Sequence, residues 1–235
     1  MLYYIHSCSA DAPLLHLCLA RLRSLDADAR IIIANDPAHP IPPAALPGGK
    51  GIEVISPPYP LGGNLNGEAM IKGMLATLVK AMEHYGETHI IKLDCDAWLN
   101  SVDWLRPGFL TPPDTPEPDY IGLERAEPLT AAGDCYRISL YAARAALKGM
   151  MERPWPKQHK LPEDRTILLM VLRSRLPVLT IPYTAGRHCG MHAALPGKRE
   201  QAAWVVHCGE TCADGSRAPR DFALLRMKLL AAQAK

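Results

Sequence analysis

The sequence predicts an α/β protein, with a mixed, mostly parallel sheet flanked by helices in a single domain. Three observations predict it. Short apolar runs of strand type alternate with helix-periodic segments over the first hundred residues. The chain has 235 residues, 48% of them hydrophobic and 21% charged, an ordinary globular composition and enough length for one full core. No internal repeat or low-complexity tract interrupts the pattern.

The elements follow in order. Residues 2–6 form a short apolar strand. Residues 11–25 follow as a helix with Leu14, Leu15, Cys18, Leu19 and Leu22 on one face, and with Asp11 and Pro13 near its start. Residues 30–35 are a buried-type strand ending in Asn35-Asp36, and 52–55 a third strand after a Pro/Gly-rich loop. A turn-rich segment, 61–67, precedes a long helix over 68–85 that Gly86 closes, and 88–93 is a fourth strand. Residues 107–118 hold five prolines and must be loop. Strands over 120–123 and 135–139 then precede a helix over 140–151. A further helix over 162–175, strands over 178–182 and 203–207, and a terminal amphipathic helix over 219–234 complete the chain. In open sheets of this kind ligands bind outside the carboxyl ends of the strands. The ends to inspect are His6-Ser7, Asn35-Asp36 and Asp94-Cys95-Asp96.

Charge and cysteine usage narrow the class. The formal charge is +2, which argues against a dedicated nucleic-acid binder. That total conceals an asymmetry. Residues 1–120 carry eight basic and fourteen acidic side chains, and residues 121–235 carry eighteen and ten. An acidic half facing a basic half suits a bound metal and an anionic ligand. Seven cysteines without regular spacing do not form a disulfide framework. The first residues lack the basic and apolar regions of a signal peptide, and no run reaches the ~18 apolar residues of a membrane span. The expectation is a reduced, cytoplasmic protein.

The segment richest in chemistry is His89-Ile-Ile-Lys-Leu-Asp94-Cys95-Asp96. Two carboxylates two apart at the end of a buried strand can converge on one hard divalent cation, Mg²⁺ or Mn²⁺, which leaves other positions to phosphate oxygens and water. The alternative is a capping Asp beside a solvated one. A second element is Leu161-Pro-Glu163-Asp164-Arg165. Pro followed by acidic residues is also what any helix N-terminus favours. A third is Trp204-Val-Val-His207-Cys208-Gly209, a His directly after a strand.

The order of these elements resembles the GT-A-type glycosyltransferases, over about residues 1–210. The shared features are a first strand, an Asp after the second, a long helix, and an apolar strand running into Asp-x-Asp. The resemblance implies a GT-A-like, Rossmann-type sheet and a metal-dependent transferase that moves a sugar from a nucleotide sugar, usually a UDP-sugar, to an acceptor hydroxyl. It implies that Asp94 and Asp96 carry Mn²⁺ or Mg²⁺ with the donor diphosphate, and that His207 adds a metal ligand. It makes Asp164, paired with Glu163, the general base of an inverting reaction. It also implies a nucleotide-sugar-binding half over 1–100 and an acceptor-binding, catalytic half over 101–235. Donor contacts would fall to His6 and Ser7, Asp36, and Asn64 or Asn66. No Lys-Pro-Trp follows His207, so Arg217 or Arg220 would serve the diphosphate. Asp134 and Tyr136 resemble an acceptor-pocket segment, equally readable as a turn and a core Tyr. Trp155 would be an acceptor platform, and Trp98 and Trp104 would pack behind the Asp-x-Asp turn.

The resemblance implies a glycan or lipid-linked acceptor. The terminal helix, with Arg226 and Lys228 beside its apolar face, would allow peripheral contact with an anionic inner membrane face, although packing on its own domain is the simpler reading. Two rivals stand. One is a nucleotidyltransferase on a similar sheet, although 7–11 lacks the Gly-rich basic loop such enzymes carry. The other is a zinc-stabilised, non-catalytic domain using His188, Cys189, His192, His207, Cys208 and Cys212, whose spacings match no common zinc module.

Overall fold

The structure, a computed structural model, describes residues 1–59, 67–124, 131–152, 163–190, 197–208 and 220–234. Its elements run β1 (Leu2–Ser7), α1 (Ala12–Leu25), β2 (Arg30–Asn35), β3 (Ile52–Ile55), α2 (Gly67–Tyr85), β4 (His89–Asp94) and β5 (Ala97–Leu99). They continue as β6 (Tyr120–Glu124), β7 (Ala131–Ser139), α3 (Leu140–Glu152), α4 (Glu163–Arg173), β8 (Val178–Ile181), β9 (His188–Gly190), α5 (Lys198–Ala202), β10 (Val205–His207) and α6 (Arg220–Gln233).

Seven strands form one sheet in the order β3-β2-β1-β4-β7-β6-β8. β1 pairs in parallel with β2 and β4, and β2 with β3. β7 runs antiparallel between β4 and β6, and β8 returns parallel to β6. This is the mixed, mostly parallel α/β sheet that the alternation predicts. The α2 helix ends as expected: Gly86 takes φ +67, and the Glu87 N–H reaches back to the Met82 carbonyl at 2.9 Å.

Side-chain parity divides the core into two layers. Tyr3 and Ile5, Ile31 and Ile33, and Ile91 and Leu93 face one side, where they pack with Leu14, Leu15, Cys18, Leu19 and Leu22 of α1 and Ala223, Met227 and Leu230 of α6. Leu2 and Tyr4, Ile32 and Ala34, and Ile90 face the other, against α2, α3 and α4. The even-numbered residue that breaks the apolar series on this second face is Lys92.

A second sheet, in the order β5-β10-β9, is not anticipated by the sequence. Each of its strands has three residues, too short for a period of two to show against a turn. It carries Trp98, buried together with Trp104 in the first core layer, and Trp104 stacks on Trp204 at 5.9 Å. The expected strand at 203–207 is present as β10, and residues 198–202 before it form the short helix α5. The terminal helix also departs from expectation at Arg226, which is buried and donates to the Cys208 carbonyl at 2.8 Å, so it does not sit on a solvent face beside Lys228. No helix among the described residues is long and apolar enough to cross a membrane.

Gly73 of α2 lies under the ring of Tyr59, whose hydroxyl bonds to Tyr4 at 3.1 Å and Thr77 at 3.0 Å. A Cβ at Gly73 would fall well inside van der Waals contact with that ring. Gly→Ala inside a helix ordinarily stabilises by roughly 0.5–1 kcal/mol. Here Gly73→Ala should instead destabilise by about 1–3 kcal/mol through overpacking. Urea denaturation of the two proteins checks the sign, and a gain in stability would contradict the packing.

Candidate active site

The carboxyl end of β4 is built around Lys92. Register places its Cα between Tyr4 on β1 and Tyr136 on β7, so the ammonium rises from an aromatic row on the α4 side of the sheet. Its side chain is 2% exposed. Nζ lies 2.7 Å from Asp94 Oδ1 and 3.5 Å from Glu163 Oε2, donates to the Gly133 carbonyl, and sits 5.8 Å from the centre of the Tyr136 ring. Burial alone would lower the pKa of Lys92. The Asp94 and Glu163 carboxylates outweigh that effect and hold it above its ordinary value, so the amine stays charged. Burial raises Glu163, against the pull of Lys92. The Tyr136 hydroxyl donates to Glu163 Oε1 at 2.8 Å, which leaves Glu163 held from two sides.

Asp96 belongs to a different contact. The β5–β10 ladder pairs Ala97 with His207, and the Cys208 N–H donates to the Asp96 carbonyl at 3.0 Å. This ladder brings His207 Nε2 to 3.5 Å from Asp96 Oδ2, across more than a hundred residues of chain. The Asn100 amide fastens the same junction by donating to the Glu200 and Ala203 carbonyls, each at 2.8 Å. Arg226 secures the far end of β10 through Cys208. Asp94, Asp96 and His207 thus stand at one sheet end as two pairs, Asp94 with Lys92 and Asp96 with His207. Among the described residues, no three His, Cys, Asp or Glu side chains are already gathered as a closed metal cluster. The donor set still fits a hard divalent cation. An imidazole with two carboxylates suits Mn²⁺ or Mg²⁺.

The acceptor-side pair opens α4. Asp164 is buried, its Oδ1 accepts the Arg165 N–H at 2.9 Å, and its carboxyl lies where a Cβ on Gly133 would touch it. Asp164 therefore doubles as the local brace of the helix start. Glu163, not Asp164, is the member in contact with the Lys92 centre. Tyr136 is fully buried and stacks on Tyr120 at 5.3 Å, so its ring is core and no sugar platform, while its hydroxyl serves Glu163. Asp134 pairs with buried His188 of β9 at 3.0 Å, linking the two sheets.

At the donor side, His6 and Ser7 end β1, with His6 in register with Asp94. His6 Nε2 and Ser7 Oγ are both shut off from solvent, with no hydrogen-bond partner among the described residues. Burial, reinforced by Lys92, lowers the pKa of His6 to about 3. Asp36 is buried in its own turn, accepting the Ala38 N–H at 3.0 Å and lying 3.5 Å from His39. Asn64, Asn66, Trp155, His192, Cys212 and Arg217 lie outside the described residues, as does the side chain of Arg220. The zinc arrangement is not assembled among the described residues. His188 is committed to Asp134, and burial pushes the Cys189 thiol up to about 11 and Cys208 higher still.

The contacts of Lys92, His188 and Arg226 escape the motif reading, which weighs His188 as a zinc ligand and Arg226 as a membrane-facing charge. Lys92 had a signal of its own, a lone charge inside the apolar run His89-Ile-Ile-Lys-Leu.

No protein-family profile matches the chain, and no curated protein matches it in sequence. Solved structures match it in fold. A glycosyltransferase involved in the glycosylation of the major capsid of PBCV-1 superposes with a TM-score of 0.59 at 12% identity, covering 97% of this chain and 98% of that one. The galactosyltransferase LgtC, in complex with donor and acceptor sugar analogs, superposes with a TM-score of 0.58 at 16% identity, covering 97% and 96%. The expected GT-A-like fold is therefore shared with these structures over 97% of this chain.

His6 yields a pH prediction. Its native pKa lies below the unfolded value of ~6.5, so the unfolded chain binds the extra proton. The corresponding stability is complete above that value and is lost as pH falls from 6.5 towards 3. His6→Leu should flatten the acid limb of the stability curve by up to about 1.4 kcal/mol per pH unit in that window. Denaturation midpoints measured between pH 7 and pH 4 decide it, and parallel curves would show that His6 is not held neutral.

Proposed function

We propose that the chain is a metal-dependent glycosyltransferase that moves a sugar from a nucleotide sugar, of UDP type, to the hydroxyl of a glycan or lipid-linked acceptor. One observation carries the reading. In a fold shared with glycosyltransferases, the β5–β10 ladder delivers His207 to Asp96 at the carboxyl end of β4, beside Asp94.

In this reading Asp94, Asp96 and His207 hold Mn²⁺ or Mg²⁺. The bound ion supplies Lewis-acid stabilisation of the diphosphate leaving group. His6 Nε2 and Ser7 Oγ, buried at the end of β1 with no partner among the described residues, offer polar contacts to the nucleoside. Asp36 shapes the adjoining turn from which it would meet the base. Asn64 and Arg217 complete the donor side as the sequence resemblance assigns them. Residues 1–100 supply the donor half and 101–235 the acceptor half.

On the acceptor side Asp164 is the general base, taking the proton of the attacking hydroxyl, with Glu163 fixed beside it by Tyr136 and Lys92. A base acting directly on the acceptor implies inversion at the anomeric carbon. Phe222 and Leu225, exposed on α6, leave an apolar strip that would let the protein work against a cytoplasmic membrane face.

The test begins with heat. UDP-sugars should raise the melting temperature of the protein only when Mn²⁺ is present. Asp96→Ala should abolish both that shift and Mn²⁺-dependent UDP release, a loss on the order of 10³-fold for removal of a charge-stabilising group. Turnover retained in Asp96→Ala would sink the assignment. Stabilisation by UDP-sugars with EDTA equal to that with Mn²⁺ would remove the metal from it.

A further inference from the structure

Lys92 is more than a core residue of β4. Its ammonium is enclosed, and the groups around it come from both sides of the reaction centre: Asp94 Oδ1 at 2.7 Å on the donor side, and Glu163 Oε2 at 3.5 Å together with the Gly133 carbonyl on the acceptor side. Tyr136 closes the triangle, its ring 5.8 Å from Nζ and its hydroxyl on Glu163 Oε1. The side chain of Lys92 is 2% exposed and that of Glu163 12%, while that of Asp94 is 33% exposed, so the acceptor-side partner is the better shielded from water. These groups sit on three different elements, β4, β7 and the first residue of α4. No other cation is placed in contact with both Asp94 and Glu163 among the described residues.

We infer that Lys92 is a positioning residue for the transfer, a single internal cation shared by Asp94 and Glu163 that fixes the donor-side carboxylate relative to the acceptor-side one. This role rests on the glycosyl-transfer reading above. It assigns Lys92 no contact with substrate. Lys92 acts through the two carboxylates. An ammonium on a long stem suits the task, since three donors on one nitrogen meet Asp94, Glu163 and the Gly133 carbonyl in different directions.

The experiment uses Lys92→Met and the double variant Lys92→Met with Glu163→Gln, in the full chain. Removal of the cation leaves the largely buried Glu163 carboxylate, and the partly exposed one of Asp94, without their partner. Lys92→Met should therefore lose about a hundredfold or more in the folding equilibrium constant, read by urea denaturation. The double variant should recover about tenfold or more of that loss, because one uncompensated carboxylate is gone. Additive losses, or a double variant that fails to fold, would overturn the sharing.

Turnover is then read on Lys92→Met at a temperature where its near-ultraviolet spectrum shows it folded, as UDP released from a panel of UDP-sugars with Mn²⁺. A positioning role predicts that kcat falls about a hundredfold while donor KM moves by less than about threefold. Wild-type kcat in the folded variant would reduce Lys92 to a structural residue and overturn the proposal. The two arms separate the sources of failure. A wild-type protein that releases UDP from none of the sugars refutes glycosyl transfer itself, and with it the positioning role, whereas the shared-cation contact stands or falls on the denaturation cycle.

Discussion

A charged ammonium shut inside a sheet is the constraint around which the molecule is arranged. Taking a charge out of water costs several kcal/mol even after relaxation, and that penalty is met only where opposite charge and hydrogen-bond acceptors surround the ion closely. Around Lys92 the acceptors come from distant parts of the chain. Asp94 follows on the same strand, the Gly133 carbonyl comes from the antiparallel β7, and Glu163 is the first residue of α4. The order of β4, β7 and α4 in space is therefore tied to one nitrogen atom. The Tyr136 ring, 5.8 Å from the ammonium, gives it a polarisable wall on this face.

The same sheet end is reached from the other side by a separate device. Three residues of β5 pair with three of β10, and the pairing extends one step further, from Cys208 to the Asp96 carbonyl. Backbone hydrogen bonds, rather than side-chain attraction, thus bring His207 to Asp96. The stacked Trp104 and Trp204, the Asn100 amide and the buried guanidinium of Arg226 all support that short ladder. Asp94 is governed by the Lys92 centre and Asp96 by the ladder, so two independently held carboxylates meet two residues apart. Side chains held this way are kept in place by the fold itself.

Much of this architecture was legible in the residues. Strand after strand of β-branched and leucine side chains, with Leu14, Leu15, Cys18, Leu19 and Leu22 at helical spacing, identifies the layers, and Gly86 marks the end of α2. The Asp-x-Asp end of β4 and the Glu163-Asp164 start of α4 could be located by their position in that order. What stayed hidden depends on contacts between remote segments. Nothing local in Val205–His207 announces that it pairs with Ala97–Leu99, since a three-residue strand carries no period. Tyr136 read equally as a sugar contact or a core residue, because its partner Glu163 is 27 positions away. Arg226 sits in a sequence that could be an amphipathic surface helix, and only tertiary packing shows it turned inward. Lys92 was visible as an oddity in an apolar strand, but its meaning required Glu163 and Gly133 beside it.

The metal centre is the claim on which the functional account turns, and one measurement addresses it directly. Crystals of the protein grown with MnCl₂ and UDP, with diffraction recorded at the manganese absorption edge, locate the ion without reference to turnover. The account predicts one strong anomalous peak at the carboxyl end of β4, beside Asp94, Asp96 and His207, with the UDP diphosphate next to it. Manganese bound at His188 and Cys189 instead, or UDP seated at the end of β1 with no manganese beside Asp94 and Asp96, would contradict it.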